Sequence, residues 1–343
     1  MAERVYCTYF DHRYLPRGLA LYRSLQRHVP GARLWVLCLS EVCYRALVAL
    51  DLPNLVPCGL ADFEAADPDV AATRPSRSTI EYYFTCSPAW KLYVLSNEPQ
   101  AEWITYLDSD LFFFASPEPI YDEMNGAAFG IIPHRYTNRN QRRLRFGIYN
   151  VGWVSVRNNE EGRAVLRWWR ERCIEWCHDF VDADGDRFAD QRYLDRLPKM
   201  FSNIHVIGHL GANLAPWNFA ERELAWRDRS VWIDGRYRLL FFHFHGVRRE
   251  GRYYFNSHRT FHAPFPALMR RHVYEPYVAA LAEAEAQSVP LLAGERSEII
   301  RKWAVRSATD QVLNVIRQAR SVVFRGIDVV TRRAIASPGG AAR

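Results

Sequence analysis

The run Tyr106 to Phe114, Y-L-D-S-D-L-F-F-F, ends an apolar stretch in two carboxylates one residue apart. The residue between them points away, so Asp108 and Asp110 converge on one side of a turn. Hard oxygen ligands of this kind suit Mg²⁺ or Mn²⁺, which also bind diphosphate oxygens. Other D-x-D pairs occur at Asp67/Asp69, Asp182/Asp184 and Asp184/Asp186, and these read as solvated turns. Asp108 and Asp110 differ because a buried strand precedes them and a Phe-rich strand follows, so their charge needs a compensating partner.

A second element, Phe241 to Arg249, reads F-F-H-F-H-G-V-R-R. A strand here delivers two imidazoles and then a glycine beside basic residues. One of the two histidines can be a third metal ligand, and Arg248 or Arg249 can meet phosphate. A third, Asp184 to Gln191, looks like a calcium loop. Arg187 stands where that loop needs Gly and Tyr193 where it needs a bidentate Glu, so calcium is rejected. Cys173 and Cys177, four apart on a helix, read as core thiols rather than a zinc pair.

The elements that must position these groups alternate. Strands are expected ending near Asp11, over Arg33–Leu39 and Asn54–Val56, and over Trp103–Leu107. Helices are expected over Gly18–His28, Glu41–Leu50 and Pro88–Ser96, with a loop or short helix at 61–80. This β-α-β-α-β order argues for a parallel sheet covered by helices, with ligands beyond the carboxyl ends of its strands. That rule puts Asp11 and Asp108 in one crevice. Farther on, strands are expected over Ala127–Ile132, Ile148–Val156 and Arg238–Phe244. Helices are expected over Glu160–Cys177, over Phe188–Leu197 with a stop at Pro198, and over Pro276–Gln287. Pro133–Gly147 reads as a basic loop, Gly251–Pro276 as irregular and Pro290–Gly294 as a linker.

These motifs resemble the GT-A glycosyltransferases, especially the retaining family 8 enzymes, and the match covers roughly residues 4–262. It rests on seven motifs in one order. They are Asp11-His12-Arg13-Tyr14; Tyr82-Tyr83-Phe84 with Lys91; Tyr106 to Asp110; Asn150-Val151-Gly152; Asp190-Gln191; Trp217-Asn218; and His243 to Arg249. Lys91 stands where that family usually has Arg, and Arg249 where it has Lys. The resemblance implies an α/β GT-A fold, a Rossmann-like mixed but mostly parallel sheet flanked by helices. It implies a nucleotide-sugar donor, with UDP by analogy, and Mn²⁺ or Mg²⁺ on Asp108, Asp110 and His243. Asp11 and Tyr14 would meet the nucleoside, Lys91 and Asp190 the donor sugar, and Arg249 the diphosphate. Asn150, Gly152 and Gln191 would line the sugar pocket, with Asp190 and Gln191 as the catalytic pair. Trp217 and Asn218 are expected on the acceptor side. The long G-A-N-L-A-P-W-N stretch is similar to a bacterial subgroup linked to surface polysaccharide or lipopolysaccharide synthesis.

The basic loop adds Arg142, Arg143 and Arg145 as a clamp for an acidic or phosphorylated acceptor; a solvated surface loop is the plain alternative. An inverting mechanism would need a base such as Asp184, Asp186 or Asp190. Of the rival classes, a pyrophosphorylase should open on a Gly-rich phosphate loop, and Val5–Asp11 has no Gly. A non-catalytic sugar-binding module has little use for a strand-end metal pair.

Charge and composition set the remaining bounds. The 343 residues have a formal net charge of +7. From Arg296 onward ten Lys and Arg face three acids, so the tail accounts for all of that charge and the body is formally neutral. A nucleic-acid-binding body would itself be basic. Residues 295–343 carry apolar positions at helical spacing (Ile300, Ala304, Ala308, Val312, Val315) with a basic complement. That pattern reads as an amphipathic helix for an anionic membrane surface or for docking on the body. The division expected is 1–262 catalytic, 263–294 connector and 295–343 tail. Seven cysteines without a CxxC spacing, no signal-peptide pattern and no apolar run of ~20 residues point to the cytoplasm, in solution or on the inner membrane face.

Overall fold

The computed structural model describes residues 4–250 and 253–292. The expected tail helix lies outside them. A seven-stranded sheet organises the chain, in the order Leu55–Gly59, Arg33–Cys38, Arg4–Phe10, Trp103–Leu107, Tyr149–Arg157, Phe129–Pro133 and Ile204–Val206. Every neighbouring pair is parallel except those made by Tyr149–Arg157, which runs against both its neighbours. The parallel strands from Leu55–Gly59 to Trp103–Leu107 are those the element order implied, and the mixed, mostly parallel α/β sheet is the one the resemblance implied.

Side-chain alternation gives the sheet two apolar faces. Leu107 and Trp153 face a core with Leu19, Leu25 and Phe241. Their chain neighbours Tyr106 and Val154 face the opposite core, with Trp90 and Trp169. Each large side chain fully withdrawn from water contributes ~1.5–3 kcal/mol. The Leu15–His28 helix lies close against its strand because residue 18 is glycine: a Cβ there would sit 2.3 Å from the Phe10 ring. A third core joins Phe112, Phe242 and Phe244 to Met269, Tyr274 and Tyr277. Through it the Glu275–Leu291 helix packs onto the body.

Several expected elements differ in extent. The helix expected from Pro88 begins at Thr79 and runs to Asn97, with Pro88 inside it. A capping box of Ser78 and Glu81 starts it earlier, and buried Tyr82, Cys86, Ala89 and Trp90 on both sides of Pro88 outweigh one lost backbone bond. Pro198 does not stop a helix. A 3₁₀ turn, Gln191–Arg196, passes into a short α-turn, Leu197–Met200, with Pro198 in its first turn. The strand expected over Arg238–Phe244 is two, Tyr237–Arg238 and Phe241–His243, in different sheets. It breaks because Leu239 N–H bonds Val231 O while Leu240 N–H bonds Gly211 O. The basic loop carries a 3₁₀ helix, Asn138–Phe146. Pro290, where a linker was expected, lies inside the last helix, which runs to Leu291. The helix Glu118–Glu123, the seventh strand Ile204–Val206 and the small Leu224–Arg227/Ser230–Ile233/Tyr237–Arg238 sheet were not expected.

Candidate active site

One edge of the sheet gathers the polar groups. Phe10 hands the chain to Asp11 there and Leu107 hands it to Asp108, while the antiparallel Tyr149–Arg157 strand begins at the same edge with Asn150 and Gly152. Asp108 N–H donates to Gly152 O at 3.0 Å. Above them a short antiparallel pair, Leu111–Phe113 with Phe241–His243, sets Leu111 opposite His243.

That register brings His243 Nε2 to 3.0 Å from Asp110 Oδ1 and 3.7 Å from Asp108 Oδ2. Tyr106 O–H donates to Asp108 Oδ1 at 2.9 Å. His245 joins as well: ligand atoms of Asp110, His243 and His245 lie within 4.8 Å of one another. Gly152 makes room for the ring, because a Cβ there would stand 2.9 Å from His243 Cε1 and 2.5 Å from Asn150 Oδ1. Burial pushes the Asp108 carboxyl up, against the pull of His243. Burial also opposes the Asp110 charge, but His243, its hydrogen bond, His245 and Arg17 prevail and hold Asp110 at about 2. His243 is raised in turn: burial disfavours its charge, and Asp110 and Asp108 more than compensate. Two carboxylates drawn around one imidazole nitrogen form a mixed oxygen and nitrogen donor set that fits a divalent cation.

Behind Asp108 the Lys91 ammonium is fully buried. It donates to Ser87 O at 3.1 Å and Oγ at 2.9 Å, and lies 3.9 Å from the Tyr106 ring centre and 4.8 Å from that of Trp169. Burial lowers it to about 8 against the pull of Cys7, Asp190 and Asp108. Asp190 is 1% exposed, and its Oδ2 has no hydrogen-bond partner. Burial raises it to about 6 despite Lys91 and Ser87. Ala189 beside it adopts φ +46°, a conformation uncommon outside glycine. Asn150 Nδ2 reaches Gln191 Oε1 at 3.3 Å, and Gln191 Nε2 donates to Phe146 O at 2.9 Å. Seven of the expected residues, Asp108, Asp110, His243, Asn150, Gly152, Asp190 and Gln191, therefore fall along this edge, with Lys91 beneath.

On the other flank, Asp11 accepts Arg13 N–H at 2.9 Å and Arg13 Nε–H at 2.7 Å. Tyr14 is 46% exposed under the Arg17 guanidinium, 4.5 Å away. Arg13, Arg17, Arg248 and Arg249 line one open cleft with Tyr254 and Glu285. Arg249 pairs with Glu285 at 2.5 Å. Trp217 is buried edge-on to His243 at 5.0 Å and donates to His134 O at 3.0 Å. Asn218 is also buried, and its amide is spent on His134 O, Asn213 O and Ala215 N–H. Of the loop arginines, Arg143 lies 4.4 Å from the Phe261 ring centre with Nε buried and unpartnered, beside the Trp217/Phe261 cluster. Arg142 and Arg145 are exposed, the latter over its neighbour Phe146.

Sequence reasoning missed two buried residues here. His134 bridges Ile148 O and Asn150 Nδ2, and Asn213 faces the His243 ring. Neither sits in a periodic stretch, and only the length of the loop around Asn213 marked it.

No protein-family model matches the chain. The uncharacterized protein YfnF of Bacillus subtilis (strain 168) is 32% identical over 255 residues, 71% of this chain and 81% of that protein. YfnD of the same organism is 29% identical over 277 residues, 80% and 88%. Among solved structures, the galactosyltransferase LgtC, crystallised with donor and acceptor sugar analogs, aligns at 16% identity with TM-score 0.48, over 81% of this chain and 95% of that one. Mouse xyloside xylosyltransferase 1 aligns at 15% with TM-score 0.41, over 62% and 87%.

Proposed function

The chain belongs to the same family as the Bacillus subtilis protein YfnF, and we propose that it is a glycosyltransferase that takes a hexose from a nucleotide sugar and joins it to a carbohydrate or lipid-linked acceptor. The observation that carries this reading is His243 Nε2 set between Asp108 and Asp110 at the strand edge. The seven motifs shared in order with retaining GT-A enzymes of family 8 support it.

In this reading Asp108, Asp110 and His243 hold Mn²⁺ or Mg²⁺. Bound there, the cation stabilises the negative charge that a diphosphate gains as its bond to the sugar breaks. The chain's own residues supply the rest. Arg249, with Arg13 and Arg17 beside it, adds positive charge on the diphosphate side. Asp11 and Tyr14 receive the nucleoside. Asn150, Gly152, Gln191 and Lys91 shape the sugar pocket. The unpartnered Asp190 Oδ2 accepts a sugar hydroxyl, which replaces the water its carboxylate would otherwise need. Trp217, with Asn218 anchoring its loop, Arg142, Arg143 and Arg145 form the acceptor side. Arg143 is the best placed of the three for a phosphate or carboxylate. The tail from residue 295 draws the enzyme to an anionic membrane face on the cytoplasmic side, where a lipid-linked acceptor for surface polysaccharide would sit.

One observation favours a second mechanism. Burial lifts Asp190 to about 6, which suits a general base and thus inversion. A donor screen by nucleoside diphosphate release, followed by NMR of the product's anomeric centre, separates the cases. Retention supports the family 8 reading, inversion calls for a base among Asp184, Asp186 and Asp190, and binding of nucleotide sugar without turnover leaves a non-catalytic module.

A further inference from the structure

The geometry points to Asn213 as the residue that fixes which nitrogen of His243 faces the carboxylates. Asn213 is fully buried, and its Oδ1 lies 3.2 Å from His243 Nδ1. A carbonyl oxygen is an acceptor only, so this contact keeps a proton on Nδ1; Nε2, which donates to Asp110 Oδ1 while the ring is charged, is then the nitrogen whose lone pair a cation would take. The ring has no room to rotate away. Gly152 backs one side, Trp217 stands edge-on at 5.0 Å, and His243 N–H is tied to Leu214 O at 2.8 Å.

The chain holds Asn213 with unusual local structure. Asn213 itself adopts φ +58°. Its carbonyl accepts Asn218 Nδ2 at 2.9 Å. Just before it, Arg135, also at φ +53°, donates to Ala212 O at 2.9 Å and Ile207 O at 2.7 Å. A left-handed conformation at two non-glycine residues costs free energy and persists only where the surroundings impose it. Here they aim one amide at one imidazole. Asn213 is thus a positioning residue, and the inference rests on the proposed metal reading for its purpose but not for its geometry.

The test compares Asn213→Leu, close in size and without the acceptor, with Asn213→Asp, which keeps it. Circular dichroism and thermal melting establish that each is folded. Mn²⁺ binding to the nucleotide-free protein is read by electron paramagnetic resonance, and the His243 ring nitrogens by ¹⁵N NMR. The expected result is that Asn213→Leu weakens Mn²⁺ binding by about 10–100-fold and loses the Nδ1–H tautomer, while Asn213→Asp retains both. A folded Asn213→Leu with wild-type Mn²⁺ affinity and an unchanged tautomer would overturn the inference. If the wild type does not bind Mn²⁺, the metal reading fails. Asn213 is then decided by the tautomer alone, which must still change in Asn213→Leu.

Discussion

The Lys91 ammonium lies 3.9 Å from the Tyr106 ring centre, and the same tyrosine donates its hydroxyl to Asp108. One aromatic side chain thus separates a buried cation from the carboxylate at the strand end. Lys91 has its charge partly met by Ser87 and by two ring faces. Lys91→Met is expected to fold and to lose donor turnover by at least tenfold. Lys91→Arg, too large for the packed site, is expected to recover little. Melting curves beside donor turnover check both.

The pH dependence of activity follows from this pair. Turnover needs Asp190 ionised and Lys91 charged, so the rate of donor hydrolysis should rise as pH passes about 6 and fall as it passes about 8. A flat profile from 5 to 9 would contradict the assignment.

Asp190 also couples to stability. Its folded-state pKa is raised, so its contribution is fully present below the unfolded value and is lost as pH rises through about 6. Asp190→Asn removes that loss. It should stabilise the protein by about 1–3 kcal/mol at pH 7 and by little at pH 4, while donor turnover falls. Denaturant melts at the two pH values read the difference. An equal effect at both would show that burial of the charge is not what Asp190 costs the fold.

Gly152→Ala places a methyl carbon against His243 and Asn150. The expected cost is about 1–3 kcal/mol from overpacking, with loss of turnover exceeding that of a distant mutation of equal cost. Thermal melting and donor hydrolysis measured together make the comparison.

Arg143→Ser should raise the acceptor Michaelis constant severalfold, the more exposed Arg145→Ser should raise it less, and both should spare donor hydrolysis. Acceptor kinetics unchanged by Arg143→Ser would return the loop to the status of a solvated surface.

Much of this was legible in the sequence because the site sits where periodicity changes. Asp108 and Asp110 follow a fully buried strand as a carboxylate pair, and the F-F-H-F-H run offered two histidines, of which the family resemblance picked His243. The Arg4–Phe10, Arg33–Cys38 and Trp103–Leu107 strands carry the β-branched and aromatic residues that such strands need. The Ile204–Val206 strand did not show because three residues have no period. Asn213 and His134 stayed hidden for a related reason: their roles come from long-range contacts with His243 and Asn150, which no local pattern encodes. Pro88 lies inside a helix and not at its start because the capping box of Ser78 and Glu81, ten residues before Pro88, is the stronger start signal.

The central claim is that Asp108, Asp110 and His243 hold a divalent cation needed to break the donor's bond to its nucleotide. Its most direct measurement is nucleoside diphosphate release from a panel of nucleotide sugars, with chelator, with Mn²⁺ restored, and in Asp110→Asn. The account expects release from at least one donor, abolished by chelator, restored by Mn²⁺ and reduced by orders of magnitude in a folded Asp110→Asn. Full release in chelator, or an unimpaired Asp110→Asn, would contradict it.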